Sequence, residues 1–168
     1  SQNFDSITAP ALPFGWSTYI SSTNGSAYVK NYSSPTNYAL SPPNCISFNN
    51  FSDASAQLIL ITPEILTPLN IMRLKFNARG AVSGYVLQVG TISSPTGTFH
   101  SLTTVNLTNT MQQYSISFTG YSGTDRFIAI KHNLGGTNRN IYLDNFYLEE
   151  LLTNDLAVSA LQVNGLGI

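Results

Sequence analysis

Charge is scarce in this chain. Seven Lys and Arg stand against eight Asp and Glu, so 9% of the 168 residues are charged and the net charge is −1. A typical soluble domain carries about a quarter. The sequence therefore offers no electrostatic case for nucleic acid or for an anionic membrane surface. Cysteine is nearly absent. Cys45 stands alone, which rules out an internal disulfide framework and the cysteine-rich zinc patterns, and it reads as a small buried hydrophobe. Histidine is almost as rare: His100 and His132 lie in separate segments, with no Gly-x-Ser-x-Gly elbow and no His-Glu-x-x-His. Glu149 and Glu150 are adjacent and point to opposite faces of a strand, which argues against a paired-carboxylate glycosidase site. No apolar run approaches the ~20 residues of a membrane helix, and no stretch holds a helical period of useful length. Ser1-Gln2 opens no signal-peptide pattern, so a mature or excised segment is expected. The absences together predict a non-catalytic protein without membrane insertion.

In place of charge the chain carries Ser, Thr, Asn, Gly and Tyr, with an ordinary 42% hydrophobic content. Neutral hydroxyls and amides facing water suit an extracellular β-protein. Residues 1–45 are rich in turns and aromatics, and only Ala27-Tyr28-Val29 there reads as strand. Cys45 to Phe48 alternates weakly. Leu58-Ile59-Leu60-Ile61 is apolar on both faces and ends at Pro63, as expected of a central strand. Ile71 to Arg79 alternates cleanly, with Met72, Leu74, Phe76 and Ala78 inward. Further strands are predicted over 84–92, 99–105, 111–118, 127–130 and 140–149. Many short strands joined by Gly, Pro and Asn turns predict an antiparallel β-sandwich. His132 continues the phase of Ile128 and Ile130 and reads as a core histidine. After Glu149 the pattern changes: Asp155 to Val163 looks like the opening strand of a following domain.

The last strand contains an irregularity. In Asn140-Ile141-Tyr142-Leu143-Asp144-Asn145-Phe146-Tyr147-Leu148 the apolar series Ile141, Leu143 resumes at Phe146 and Leu148, one residue out of step. A slip of one residue is what a β-bulge produces. Asp144 falls in phase with Phe146 at that slip, and a carboxylate there needs donors or a cation. A calcium-type site is one reading; a plain bulge with a solvated aspartate is the other.

Two groups could hold a ligand. Sugars stack apolar ring faces on aromatics while amides and hydroxyls read their OH groups. Tyr28, Tyr32 and Tyr38, set among Asn and Ser, suit that chemistry, whereas Trp16 reads as filling for one end of the sandwich. Arg73, Lys75 and Arg79 alternate outward along one strand and could hold acidic polysaccharide or protein carboxylates through charge-assisted bonds. A solvated, aggregation-resistant strand face explains the same row.

Several stretches, taken in order, resemble the cleaved-adhesin or choice-of-anchor jelly-roll domain of secreted Bacteroidetes proteins, a group similar in architecture to the MAM adhesion domain. They are Asn3-Phe4-Asp5, Leu12 to Ser17, Leu58 to Ile65, Leu74 to Ala78, Tyr85 to Val89, Phe127 to His132 and Ile141 to Phe146, covering about residues 3–149. The resemblance implies a non-catalytic jelly-roll sandwich at 1–150 with structural calcium where first and last strands meet. It places metal ligands at Asp5 and Asp144, with Asp53 the nearest acid to a third position. Asn145 stands where the family carries a second acid, Gln57-Leu58 replaces an Asp-Trp, and Ser21 to Ser26 replaces an acidic, glycine-rich stretch. Asn side chains and backbone carbonyls would complete the six to eight oxygens calcium takes. The expectation is a binding or adhesion module of a large secreted or bacterial cell-surface protein. Its partners would be polysaccharide, cell-surface glycan or protein, beside neighbouring domains of the same polypeptide, with 151–168 as linker and truncated start of the next domain. A carbohydrate-binding module of a polysaccharide-degrading enzyme and a purely structural spacer are the alternatives.

Overall fold

The computed structural model describes residues 1–32 and 38–151. The expected linker and following-domain segment at 151–168 lies, apart from Leu151, outside the described residues. Ten strands form in order: β1 Ser17–Ser21, β2 Ser26–Asn31, β3 Asn44–Asn49, β4 Gln57–Ile61, β5 Met72–Gly80, β6 Val86–Ile92, β7 Phe99–Asn106, β8 Gln112–Ser117, β9 Phe127–His132 and β10 Asn140–Glu150. They build two antiparallel five-stranded sheets, ordered β1-β4-β9-β6-β7 and β2-β3-β10-β5-β8. From β3 onward the chain passes repeatedly between the sheets, and β10 returns to lie beside β3. This is the jelly-roll wrap. The expected antiparallel β-sandwich is therefore the observed fold.

Alternation along each strand decides which side chains meet between the sheets. Met72, Leu74, Phe76 and Ala78 of β5 face inward and are buried, as are Val29, Ile46 and Phe48 of the same sheet. Leu58, Leu60, Leu87, Val89, Ile128 and Ile130 answer them from the other. β4 is apolar on both faces because its outward Ile59 and Ile61 pack in a satellite cluster with Ile92, Ala129, Phe99 and Phe127. His132 is fully buried as expected, packed edge-on to Phe48. Its Nε2 lies 2.7 Å from the Arg139 carbonyl, and its Nδ1 has no partner. Burial lowers its pKa, so the imidazole is neutral.

Two features differ from the sequence reading. β1 reads Ser-Thr-Tyr-Ile-Ser and carries no strong strand signal of its own. It is extended because five consecutive register partners on β4 receive it at the sheet edge. The second difference concerns the bulge. Register on β5 shifts between Asp144 and Tyr147, and Asn145 takes a φ of 50°, a left-handed conformation that Asn tolerates better than most residues. The extra residue thus lies after Asp144, not before it. Leu143 and Phe146 both face the core, while Asp144 shares the outer face with Tyr142.

The bulge is also where β10 changes neighbours. β3 pairs with it only from Asn140 to Leu143. At Phe146 its place is taken by Gln2, whose backbone N–H and C=O both bond to Phe146 at 2.8 Å. This brings the N-terminal segment onto the last strand. Beneath it Phe146 meets Phe4, Trp16 and Phe76 at ring separations of 5.8, 5.2 and 5.5 Å, so Trp16 does close one end of the core. Phe146→Ala removes the ring shared by all three. It is expected to cost about 3–5 kcal/mol, read as a lowered denaturant midpoint with an unchanged slope.

Candidate ligand-binding face and carboxylate anchor

The sheet that contains β10 gathers the expected ligand-binding residues on its outer face. Tyr28 of β2 is registered on Ser47, Ser47 on Tyr142, and Tyr142 on Arg79. Side chains from four strands therefore stand in one row, and Met111 packs at its far side. Tyr32 and Tyr38, on either side of the β2–β3 connection, close over that row. Tyr38 stacks on Tyr142 at 4.4 Å, and Tyr32 meets both rings edge-on at 4.9 and 5.5 Å. The Arg79 guanidinium lies 5.3 Å above the Tyr38 ring and the Lys30 ammonium 5.1 Å above Tyr32, a cation–π arrangement at both ends. Burial raises the pKa of both Tyr32 and Tyr142, so their phenols stay protonated, and the Tyr32 hydroxyl donates to Ser47 Oγ at 3.3 Å.

The basic row is less basic than its spacing suggests. Glu149 of β10 faces Arg73 and lies two residues along from Tyr147, the partner of Lys75. Its Oε1 accepts from Arg73 Nε at 2.6 Å, pairs with the Arg73 Nη2, and lies 2.8 Å from Lys75 Nζ. Hydrogen bonds from Lys75 and Arg73 hold its carboxyl below the usual range. Arg73 and Lys75 thus share one carboxylate, and only Arg79 of the three stands among the tyrosines.

Of the three expected metal ligands, two come together. Asp144 is fully buried under the segment that follows Tyr38. Its Oδ2 accepts the Leu40 and Ser41 backbone N–H groups at 2.8 and 2.9 Å and the Ser41 hydroxyl at 3.4 Å, and its Oδ1 accepts the Asn145 N–H at 2.8 Å. Asp5 lies near enough for its charge to raise the Asp144 pKa, and its Oδ1 takes the Asn44 N–H at 3.2 Å. Around Asn44 the carbonyls of Phe4, Asp5 and Ile7 converge on one amide nitrogen at 3.1, 3.4 and 2.7 Å. The acceptors at this end are all oxygens, the type a hard cation takes, and each is already met by an N–H donor.

Asp53 belongs elsewhere. It sits past the far end of β3, and a six-residue strand holds its ends roughly 17 Å apart. There it accepts from the Ser22 hydroxyl, the Thr23 N–H and both the N–H and hydroxyl of Ser55, at 2.6, 2.9, 3.0 and 2.8 Å. These bonds, led by Ser22, lower its pKa. It ties the β1–β2 turn to the β3–β4 turn. Among the described residues no group of three or more His, Cys, Asp and Glu could hold a metal.

The other polar constellation joins His100, Asp125 and Thr91. His100 Nδ1 and the Thr91 hydroxyl lie 2.8 and 2.7 Å from the same Asp125 oxygen. A hydroxyl activated for attack must bond to the imidazole, whereas here both bond to the carboxylate. Sequence reasoning missed Tyr142, Tyr147, Asn77 and Gln113. The first two read as strand residues, and the amides of β5 and β8 gain meaning only when Asn77 is registered on Gln113 beside Asp144.

Desolvation pushes the Asp144 pKa up to about 6, against the opposing pull of its backbone donors. A raised carboxyl pKa means the fold favours the protonated form. Its cost is absent below the ordinary aspartate pKa and fully present above about pH 6. In chelator, wild type should therefore lose stability relative to Asp144→Asn between pH 4 and 7, by roughly 2–3 kcal/mol. Parallel denaturant titrations of both proteins at each pH measure the difference; a constant gap across that range would refute it.

No protein-family model matches the chain, and no curated protein matches it. Solved structures do resemble it. The K2 cleaved adhesin domain of Lys-gingipain superposes with a TM-score of 0.70 at 13% identity, covering 88% of this chain and 96% of that one. The K1 cleaved adhesin domain of Lys-gingipain from Porphyromonas gingivalis W83 gives 0.69 at 17%, covering 89% and 96%. A mutant family 29 carbohydrate-binding module complexed with mannohexaose gives 0.56 at 11%, covering 90% of each. At such identities the likeness is one of fold: the chain has the β-sandwich architecture found in these adhesin and carbohydrate-binding domains.

Proposed function

We propose that this chain is a non-catalytic binding module of a secreted or cell-surface bacterial protein, and that it holds glycan on the outer face of the β2-β3-β10-β5-β8 sheet. The observation that carries this is the row Tyr28–Ser47–Tyr142–Arg79 with Tyr32 and Tyr38 above it. Residues up to 114 positions apart in sequence converge there: Tyr28, Tyr32, Tyr38 and Arg79 are partly exposed, over Ser47 and Tyr142, which are buried beneath them. Rings of that kind take the apolar face of a sugar, and the polar tips read its hydroxyls. The adhesin and carbohydrate-binding domains with the same architecture support the reading.

The test is glycan-array binding followed by calorimetry. Tyr28→Ala removes a half-buried phenol whose loss leaves the core intact, and should weaken binding about tenfold or more with an unchanged melting temperature. A protein that folds normally and captures no glycan would be a spacer instead.

The proposal includes a structural calcium ion at the Asp5–Asp144 end. Asp5, Asp144 and the carbonyls of Phe4, Asp5 and Ile7 are the oxygens that would hold it, without Asp53, in place of the hydrogen bonds they now accept from Asn44, Leu40, Ser41 and Asn145. Bound there, the ion would neutralise two neighbouring carboxylates and fix the N-terminal segment to the last strand. Extracellular sites of this kind bind at ~0.1–1 mM, and saturation at tenfold that level adds roughly 1.4 kcal/mol. A chelator should then lower the melting temperature by a few degrees. Identical melts, with no metal found by elemental analysis, would remove the ion from the proposal.

A further inference from the structure

Next to the anchored segment the same sheet face opens into a cleft of ≈ 530 Å³, within the roughly 300–1,000 Å³ of small-ligand sites. Its wall carries Gln2, Asn77, Gln113 and Asn145, with Leu40 at one side and Tyr147 at the other. Asn77 is the unusual member. It is only 7% exposed, yet its side-chain amide makes no hydrogen bond among the described residues. Its amide atoms are not among the fully buried atoms that lack a partner; they meet the cleft, where a ligand or water completes their bonds. The neighbouring amides are also half used. Asn145 Oδ1 accepts from Ser41 at 3.2 Å and Gln2 Oε1 accepts from Phe4 N–H at 2.7 Å, which leaves both NH₂ groups uncommitted. Gln113 is exposed and unbonded through its side chain, and Tyr147 is 46% exposed.

We propose that this cleft is a second binding subsite, which takes a neutral sugar ring bearing adjacent free hydroxyls. The inference rests on the glycan reading above and deepens it. An amide presents one acceptor and two donors side by side, the pattern that a pair of neighbouring hydroxyls completes. Asn77 supplies that pair from the floor, Gln113 from the rim, and Asn145 and Gln2 add donors. The Tyr147 ring offers the apolar platform on which a pyranose face rests. No charged side chain lines the cleft. The nearest carboxylate, Asp144, is occupied by Leu40 and Ser41, and Lys75, registered on Tyr147, is paired with Glu149. No side chain there compensates the charge of a uronate or sulfate, and the cation at the wall is the Ser1 α-ammonium, so the side chains favour a neutral glycan and the acidic ligands in the test report on that ammonium.

The experiment titrates the intact chain with mannohexaose, cellohexaose and xylohexaose, and with oligogalacturonate and a heparin fragment. The variants are Asn77→Ala, Gln113→Ala and Tyr28→Ala. At least one neutral hexasaccharide should bind, with its Kd raised about tenfold or more by Asn77→Ala and by Gln113→Ala at unchanged melting temperature. The Asn77 side-chain NH₂ resonances should shift on its addition. Should Asn77→Ala fold poorly, exposed Gln113 and the NMR shift decide the matter. Binding weakened by Tyr28→Ala but untouched by Asn77→Ala and Gln113→Ala overturns the subsite and leaves the glycan reading standing. Binding of the acidic oligosaccharides alone overturns its neutrality. No binding to any of the five overturns the glycan reading itself, and the subsite with it.

Discussion

A carboxylate withdrawn from water must be met by donors, and most of this face is arranged around how Asp144 is met. Two backbone N–H groups and a hydroxyl from Leu40 and Ser41 converge on one oxygen and the Asn145 N–H on the other. The segment after Tyr38 is thereby held flat against the sheet. That placement buries Cys45 and Tyr142 together with Ala39, and sets Tyr38 on Tyr142. Replacing the carboxylate's solvation with fixed backbone donors is not free, as its raised pKa records. The fold tolerates that cost at the point where first and last segments of the domain are joined.

The bulge makes this arrangement possible. Without an extra residue at Asn145, a strand that buries Leu143 would turn Phe146 outward. With it, Leu143 and Phe146 both reach the core, while Tyr142 and Asp144 face outward and Gln2 replaces β3 as the neighbour. One irregularity therefore serves three ends: it completes the aromatic cluster of Phe4, Trp16, Phe76 and Phe146, seats the N-terminal segment, and aims a carboxylate at the loop above. The tyrosine row and the amide cleft flank that carboxylate on either side. Both proposed recognition surfaces consequently depend on the same local distortion.

Much of the fold was legible in the chain. Clean alternation at Met72 to Arg79 identified a strand and its inner face, because a period of two has no other compact use. The slip at 144–146 announced a bulge for the same reason. β1 was not legible, since an edge strand of Ser, Thr and Tyr owes its extension to β4 and not to its own preference. The site was legible by residue type and not by place. Tyr28, Tyr32, Tyr38 and Arg79 could be named as candidate ligand-binding residues. That they share a face with Tyr142, and that Glu149 engages Arg73 and Lys75, depends on register between strands remote in sequence.

Composition and periodicity, then, determined an all-β chain with a polar, nearly uncharged exterior, because both follow from local side-chain chemistry. Only the tertiary structure decided which acids meet. Asp5 and Asp144 are 139 positions apart and become neighbours, while Asp53 is captured by Ser22 and Ser55 at the other end of β3. It also decided that Asn77, an unremarkable strand residue by pattern, turns an amide with no hydrogen bond to the described residues into the cleft. Such properties arise from strand order and register, and neither exists until the sheets have closed.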